Sequence, residues 1–145
     1  MVGVDLYPLK HIVVPKGDVF HALRSTDIGF KGFGEAYFSK IDSNEIKGWK
    51  RHNRFTLNLV VPFGAVKFVI YDDRDDSQTK GEFKEFVLSP EGDYSRLTVS
   101  PGLWMAFAGV ADGESMILDI IDDVHDQIES DKKELSEIPY NFFNV

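Results

Sequence analysis

Turn-forming residues recur at short intervals along this 145-residue chain and constrain its fold more than any other feature. Clusters rich in Gly, Pro, Asp and Ser lie at positions 62–64, 72–81, 89–93, 100–102 and 112–113. The segments between them are short runs of Val, Ile, Leu and Phe. Short strands at such spacing, without long helical periodicity, are typical of a β-sandwich or barrel. The sequence therefore predicts an all-β fold with one short helix near the C-terminus, over positions 130–137.

Length and composition indicate the number of domains and the cellular compartment. One sizeable core fits in 145 residues, so we expect residues 1–145 to form a single domain. The chain has no cysteine, which excludes disulfides, thiolate nucleophiles and zinc-ribbon sites and suits a reducing cytosol. The N-terminal residues do not resemble a secretory signal, and no apolar run approaches the ~20 residues of a membrane helix. We expect a cytoplasmic protein with no membrane partner.

The net charge of −8 at pH 7 argues against nucleic acid as a partner, because nucleic-acid binding depends on neutralising phosphates. The segment KGWKRHNR at positions 47–54 is nevertheless basic and contains no acid. It is either a solvated strand edge, where basic residues oppose aggregation, or a site for a small polyanion.

Alternation is strongest over positions 50–61, which we interpret as one strand. One face would be apolar and point away from the interior, with Phe55, Leu57, Leu59 and Val61. The other would be polar, with Lys50, His52, Arg54, Thr56 and Asn58. The next apolar run adds Lys67 and Tyr71. The polar row is either exposed to water or lines a ligand cavity inside a barrel.

Asp119 interrupts an apolar strand, where it shares one face with Ile117 and Ile121. An unpaired buried charge is costly, so this carboxyl group either has a buried partner or faces a cavity. Trp104 and Met105, which follow a Pro-Gly turn, fit a core and a binding site equally well.

Positions 64–81, GAVKFVIYDDRDDSQTKG, resemble a strand and loop of the dTDP-4-dehydrorhamnose 3,5-epimerases. That family has a Gly-x-Val turn, a strand that ends in Asp-x-Arg, and a Ser-x-Thr-x-Gly loop. The matching positions, all at the family's spacing, are Gly64, Val66, Asp72, Arg74, Ser77, Thr79 and Gly81.

Two further segments carry the same resemblance. VSPGLWMAF, from Val99 to Phe107, resembles the family's Pro-Glu-Gly-Phe-x-His-Gly-Phe turn. IKGWKRH resembles the segment around the epimerase base, and also the Arg-Gly-x-His-x-His segment of the sugar-nucleotide 3,4-ketoisomerases. The resemblance implies a cupin fold, the double-stranded β-helix or jelly-roll barrel, and a homodimer.

The resemblance also bears on metals and cofactors. Metal-binding cupins use two His and a Glu from the first motif and a His from the second. This chain keeps only His52 in the first motif and has Met105 in place of the later His. We therefore expect a protein without a metal or other cofactor, as in the metal-free epimerases.

The resemblance implies a sugar-nucleotide epimerase or isomerase that moves protons beside the ketone of a nucleotide diphosphate-linked 4-keto-6-deoxy sugar. His52 would be the base, Lys50 a second base or enolate stabiliser, and Tyr71 or Asp119 the acid. The predicted substrate-binding residues are Lys47, Trp49, Arg54, Asn58 and Lys67, with the cations on phosphates or the enolate oxygen and Trp49 on the nucleoside base. A cupin that binds the nucleotide sugar without catalysis is the alternative.

Overall fold

The computed structural model describes residues 1–143 and contains twelve strands and two single turns of 3₁₀ helix. The strands are β1 Val4–Pro8, β2 His11–Ile12, β3 Val19–Phe20, β4 Glu35–Ile41, β5 Ile46–His52, β6 Leu57–Phe63, β7 Val66–Tyr71, β8 Phe83–Leu88, β9 Ser95–Val99, β10 Trp104–Gly109, β11 Ser115–Ile121 and β12 Ser130–Lys132. The 3₁₀ turns are Gln127–Glu129 and Leu135–Glu137. The predicted all-β class is confirmed. No helix within residues 1–143 is long and apolar enough to cross a membrane.

Two five-stranded antiparallel sheets face each other across the core. The first has the strand order β1-β9-β6-β11-β4 and the second has the order β12-β5-β10-β7-β8. Alternate residues of each strand point inward, as on β7, where Phe68 is buried in the core and Lys67 faces outward. Phe55, Leu97 and Ile117 join Phe68 in this core. The arrangement is the predicted jelly-roll barrel.

The stretch 50–61 is two strands rather than one. β5 ends at His52, β6 begins at Leu57, and the two strands belong to opposite sheets. The buried carboxylate of Glu129 holds the corner between them, because it accepts from the backbone N–H groups of Asn53 and Arg54, each at 3.1 Å. Alternation does not carry across such a corner. The prediction that Phe55, Leu57 and Leu59 point away from the interior is therefore wrong, and all three lie in the core.

The C-terminal segment also differs from the expectation of a helix over 130–137. Ser130–Lys132 pairs with β5 as an edge strand, and the helix is reduced to the single turn Leu135–Glu137. The residues that follow pack on the outer face of the second sheet. Trp49 Nε1 donates to the Ile138 carbonyl at 3.0 Å, and Lys67 Nζ donates to the Phe142 carbonyl at 2.9 Å. Positions 144–145 lie outside the described residues.

The stretch 64–81 that carries the family resemblance forms β7 and the loop after it, and the carboxylate of Asp72 organises that loop. It accepts from Arg74 Nε at 2.9 Å, Ser77 Oγ at 2.5 Å and Thr79 Oγ1 at 2.6 Å. The hydrogen bond from Arg74 is the largest of the causes that hold the pKa of Asp72 well below its ordinary value. These motif residues build the scaffold.

Candidate active site

A cavity of about 230 Å³ lies between the two sheets. Its polar walls are formed by Tyr37, Ser39, Lys47, Lys50, His52 and Asp119. Its apolar walls include Leu59, Phe68, Met105, Phe107 and Ile117. Because β4 and β11 belong to the first sheet and β5 to the second, Tyr37 and Asp119 face Lys50 and His52 from the opposite wall.

A β-bulge in β5 brings Lys47, Lys50 and His52 to the same wall. Lys50 pairs with Met105 and Lys47 with Phe107, so two residues of β5 lie opposite Ala106 alone. In a regular strand, residues three apart point to opposite faces. Gly48 is required here, because a Cβ at this position would lie 2.3 Å from the Cβ of Ala106.

His52 forms a buried pair with Glu129, in which Nδ1 is hydrogen bonded to Oε1. Burial lowers the pKa of His52, although the bond to Glu129 opposes this. Burial alone would raise the pKa of Glu129, but the hydrogen bonds from His52 and from the backbone N–H of Arg54 lower it overall. Near pH 7 the imidazole is therefore neutral, with its proton on Nδ1 toward an ionised Glu129. Nε2 has no hydrogen-bond partner among residues 1–143.

A second pair lies on the opposite wall, where the Tyr37 hydroxyl donates to Asp119 Oδ2 at 2.9 Å. Asp119 is only 8% exposed. Burial raises its pKa to about 6, although the hydrogen bond from Tyr37 and the charge of Lys50 favour the ionised form. Burial and the charge of Asp119 raise the pKa of Tyr37, so its hydroxyl stays protonated. The cavity thus has a proton acceptor on one wall and a hydroxyl donor on the other.

Three residues predicted for the site lie outside this cavity. Trp49, Lys67 and Tyr71 are on the outer face of the second sheet, beneath the C-terminal residues. Trp49 and Lys67 are hydrogen bonded to that segment, and the Tyr71 ring packs against Phe83 with a centroid distance of 4.6 Å. The expectation for Lys67 and Tyr71 treats β6 and β7 as neighbouring strands, whereas the two belong to opposite sheets and both residues follow the outward alternation of β7.

Arg54 and Asn58 also lie away from the cavity. Arg54 is at the corner after β5, where its side chain is 57% exposed and lies 3.8 Å from Asp123. Asn58 faces outward from the first sheet, where it accepts from Arg96 Nε at 2.9 Å and donates to the Gly29 carbonyl at 3.1 Å. Of the predicted site residues, the cavity contains Lys47, Lys50, His52 and Asp119.

Two site residues were missed from the sequence. Tyr37 shares the inward face of β4 with Ser39 and pairs with Asp119 across the sheet. The alternation of polar residues along β4 was the available signal. Glu129 lies 77 positions from His52, directly before the segment 130–137 that the sequence predicts as a helix. No local signal connects those two residues.

The described part of the chain contains no group of three or more His, Asp or Glu side chains that could hold a metal ion. Lys50 and Met105 line the cavity together with His52, and neither side chain is a typical ligand of a divalent transition metal. Metal independence itself stays a prediction.

The dTDP sugar isomerase from Desulfovibrio desulfuricans G20 has a similar structure, with a TM-score of 0.93 and 33% sequence identity. The match covers 97% of this chain and 90% of that chain. No protein-family model matches the sequence.

Two further proteins are less similar. The probable low-salt glycan biosynthesis epimerase Agl13 of Haloferax volcanii is 28% identical over 107 residues, which cover 73% of this chain but only 66% of that protein. The dTDP-4-dehydrorhamnose 3,5-epimerase of Bacillus anthracis strain Ames, solved with TDP and PPi bound, has a TM-score of 0.79 at 18% identity. That match covers 89% of this chain and 77% of the epimerase, and it supports the fold alone.

Proposed function

Since this chain belongs to the family of dTDP-sugar isomerases and epimerases, we propose that it transfers a proton on a nucleotide diphosphate-linked 4-keto-6-deoxy sugar by metal-free acid/base chemistry. The family resemblance predicted from the sequence is confirmed. The observation that carries the proposal is the cavity itself, in which the His52–Glu129 pair faces the Tyr37–Asp119 pair.

His52 is the proposed base. Its neutral imidazole has Nδ1–H directed to Glu129, so Nε2 is the nitrogen that can take a proton from a carbon beside the ketone. The negative charge of Glu129 stabilises the imidazolium that forms, and its two backbone hydrogen bonds keep it in position. Removing that proton leaves an enolate, whose negative oxygen needs a nearby positive group.

Lys50 is the proposed partner of the enolate oxygen. It lines the same wall as His52, and its positive charge is among the causes that act on the pKa values of both His52 and Asp119. Its neighbour Lys47 also lines this wall, and an exposed ammonium there suits the diphosphate of the nucleotide. The net charge of −8 favours such a small polyanion over a nucleic acid.

The Tyr37–Asp119 pair is the proposed acid on the other wall. An epimerase must return the proton from the face opposite the base, and the two pairs lie on opposite sheets. A 3,4-ketoisomerase needs no acid on that wall, because His52 can move the carbon-bound proton from C3 to C4 on one face while the hydroxyl proton passes from O3 to O4. Tyr37 is the proton donor in this proposal, since a pKa of about 6 leaves only a minor fraction of Asp119 protonated at pH 7.

Solvent-hydrogen exchange tests the proposal. The wild type is expected to incorporate deuterium from D₂O into a dTDP-linked 4-keto-6-deoxy sugar, as followed by mass spectrometry. His52→Asn should reduce the rate by about 10²–10⁴-fold with nucleotide affinity nearly unchanged, because a base acts in the transition state. His11→Asn is the matched control, since His11 lies in the exposed β2–β3 hairpin, bonded to Asp18 at 2.7 Å.

Binding of the nucleotide sugar without any exchange in the wild type would instead support the non-catalytic cupin. Full exchange in His52→Asn with loss in Lys50→Met would move the base to Lys50. Both outcomes contradict the assignment of His52.

We further propose that the chain forms a homodimer in the cytoplasm. Phe38 on β4 and Phe63 at the end of β6 are 64% and 62% exposed, and they leave apolar surface on the first sheet that a second copy could cover.

A further inference from the structure

The carboxyl group of Asp119 is satisfied on one oxygen only. Oδ2 accepts from the Tyr37 hydroxyl at 2.9 Å, whereas Oδ1 is buried without a hydrogen-bond partner in residues 1–143. Buried polar atoms in folded proteins are nearly always paired. An unpaired oxygen on a largely ionised carboxylate therefore points to a partner that arrives with a ligand.

The neighbouring strands cannot supply this partner. Asp119 lies opposite Tyr37 of β4 on one side and opposite Leu59 of β6 on the other. The Tyr37 hydroxyl is already donated to Oδ2, and Leu59 has no polar side-chain atom. Ile117 and Ile121, which share the face of Asp119 on its own strand, are apolar as well. A donor for Oδ1 must therefore come from the cavity.

The charge of the cavity restricts the chemistry of that donor. Lys47 and Lys50 line the same space, and the positive charge of Lys50 acts on Asp119. A cationic substituent would be repelled by these lysines, whereas a neutral hydroxyl would not. Leu59, Phe68 and Ile117, which also line the cavity, are apolar and cannot hydrogen bond to a hydroxyl.

We propose that Asp119 Oδ1 accepts a hydrogen bond from a ring hydroxyl of the bound sugar, so that Asp119 determines which sugars the cavity takes. The inference rests on the proposed function, because it assigns the cavity to a sugar ring. A 4-keto-6-deoxyhexose linked through C1 carries hydroxyls only at C2 and C3. The selected group is therefore one of these two, and the matching deoxy sugar is rejected because it leaves Oδ1 buried and unpaired.

Calorimetric titration with three unreactive probes tests the inference: dTDP-4,6-dideoxyglucose, whose ring hydroxyls are at C2 and C3 only, and its 2-deoxy and 3-deoxy analogues. The wild type should bind one of the two deoxy analogues about 10- to 100-fold more weakly than the parent. Asp119→Ala should bind all three probes within about threefold of one another. Tyr37→Phe is the control and should keep the discrimination, because it removes only the bond to Oδ2.

A second readout uses the wild type alone and does not depend on the folding of a variant. A hydroxyl that donates to Oδ1 stabilises the ionised carboxylate, so the parent sugar should release more protons on binding at pH 6 than the rejected analogue. Titrations in buffers of different ionisation enthalpy measure this difference.

Equal affinity of the wild type for all three probes would overturn the inference and leave the proposed function standing. Failure to bind any nucleotide sugar, together with absence of solvent exchange, would overturn both.

Discussion

Replacing Asp119 with Asn is expected to stabilise the protein at neutral pH. Burial raises the pKa of this carboxyl group from the ordinary 3.8 to about 6, against the opposing hydrogen bond from Tyr37. A pKa shift of one unit corresponds to about 1.4 kcal/mol, so keeping Asp119 ionised in the folded state costs about 3 kcal/mol. Asn has a similar shape, can accept the Tyr37 hydrogen bond through its carbonyl oxygen, and carries no charge.

The effect should depend on pH in a defined direction. Between pH 4 and pH 6 the folded wild type binds more protons at Asp119 than the unfolded chain does, so its stability falls as the pH rises. Below pH 4 both states are protonated at Asp119, and the variant should resemble the wild type. Above pH 6 the difference should approach about 3 kcal/mol, or roughly 6–12 °C in Tm for a domain of this size.

Urea unfolding followed by tryptophan fluorescence measures the difference, since Trp49 and Trp104 are both buried. Wild type and Asp119→Asn would be compared at several pH values from 4.5 to 8, so that groups common to both proteins cancel. The stabilised variant is also expected to lose activity, because burying an ionised carboxylate sacrifices stability for function.

Asp75→Asn is the matched control, and its expected change in stability has the opposite sign to that of Asp119→Asn. A hydrogen bond from Lys80 lowers the pKa of Asp75, so removing its charge should destabilise the protein at neutral pH, and the difference should vanish as the pH falls. If the stability difference between wild type and Asp119→Asn does not vary between pH 4.5 and 8, the assignment of a raised pKa to Asp119 is wrong.

Three further predictions concern the same protein. Glu129→Gln should lower the exchange rate at least about 10-fold and move the acidic limb of its pH profile lower, because His52 loses the anion that favours its protonated form; an unchanged profile would refute the pairing. Removal of metal ions with a chelator should change neither stability nor activity, and stoichiometric transition metal bound at His52 in the purified protein would contradict this. Light scattering at micromolar concentration should give twice the mass of the chain, and a monomeric mass would disprove the homodimer.

Fold class and part of the site could be predicted because they depend on local patterns. Turn residues at short spacing identified an all-β chain. The alternation around Asp119 left two alternatives for its carboxyl group, a buried partner or a cavity, and the structure contains both. The placement of His52 and Lys50 in the barrel interior also followed from their polar row. This placement is correct for the residues of β5, which ends at His52.

Prediction failed where the backbone leaves a regular strand. The corner between β5 and β6 depends on hydrogen bonds to Glu129, which is more than 70 positions away in sequence, so alternation assigned the residues beyond it to the wrong faces. The bulge at Gly48 also changes which face a side chain lies on. Simple alternation from Lys50 places Lys47 on the outer face of the sheet, whereas the bulge brings it to the cavity wall. A single sequence indicates neither irregularity.

The longest family motif, at positions 64–81, contains none of the residues that form the cavity pairs, and the reason is physical. Asp72 bonds to Arg74, Ser77 and Thr79, which lie two to seven positions away, so this hub appears in the sequence as one continuous motif. The pairs His52–Glu129 and Tyr37–Asp119 span 77 and 82 positions. Opposite walls of a barrel come from distant strands, so such pairs become visible only once the chain is folded. A resemblance carried by the Asp72 loop therefore identifies the scaffold and contains no information on the two cavity pairs.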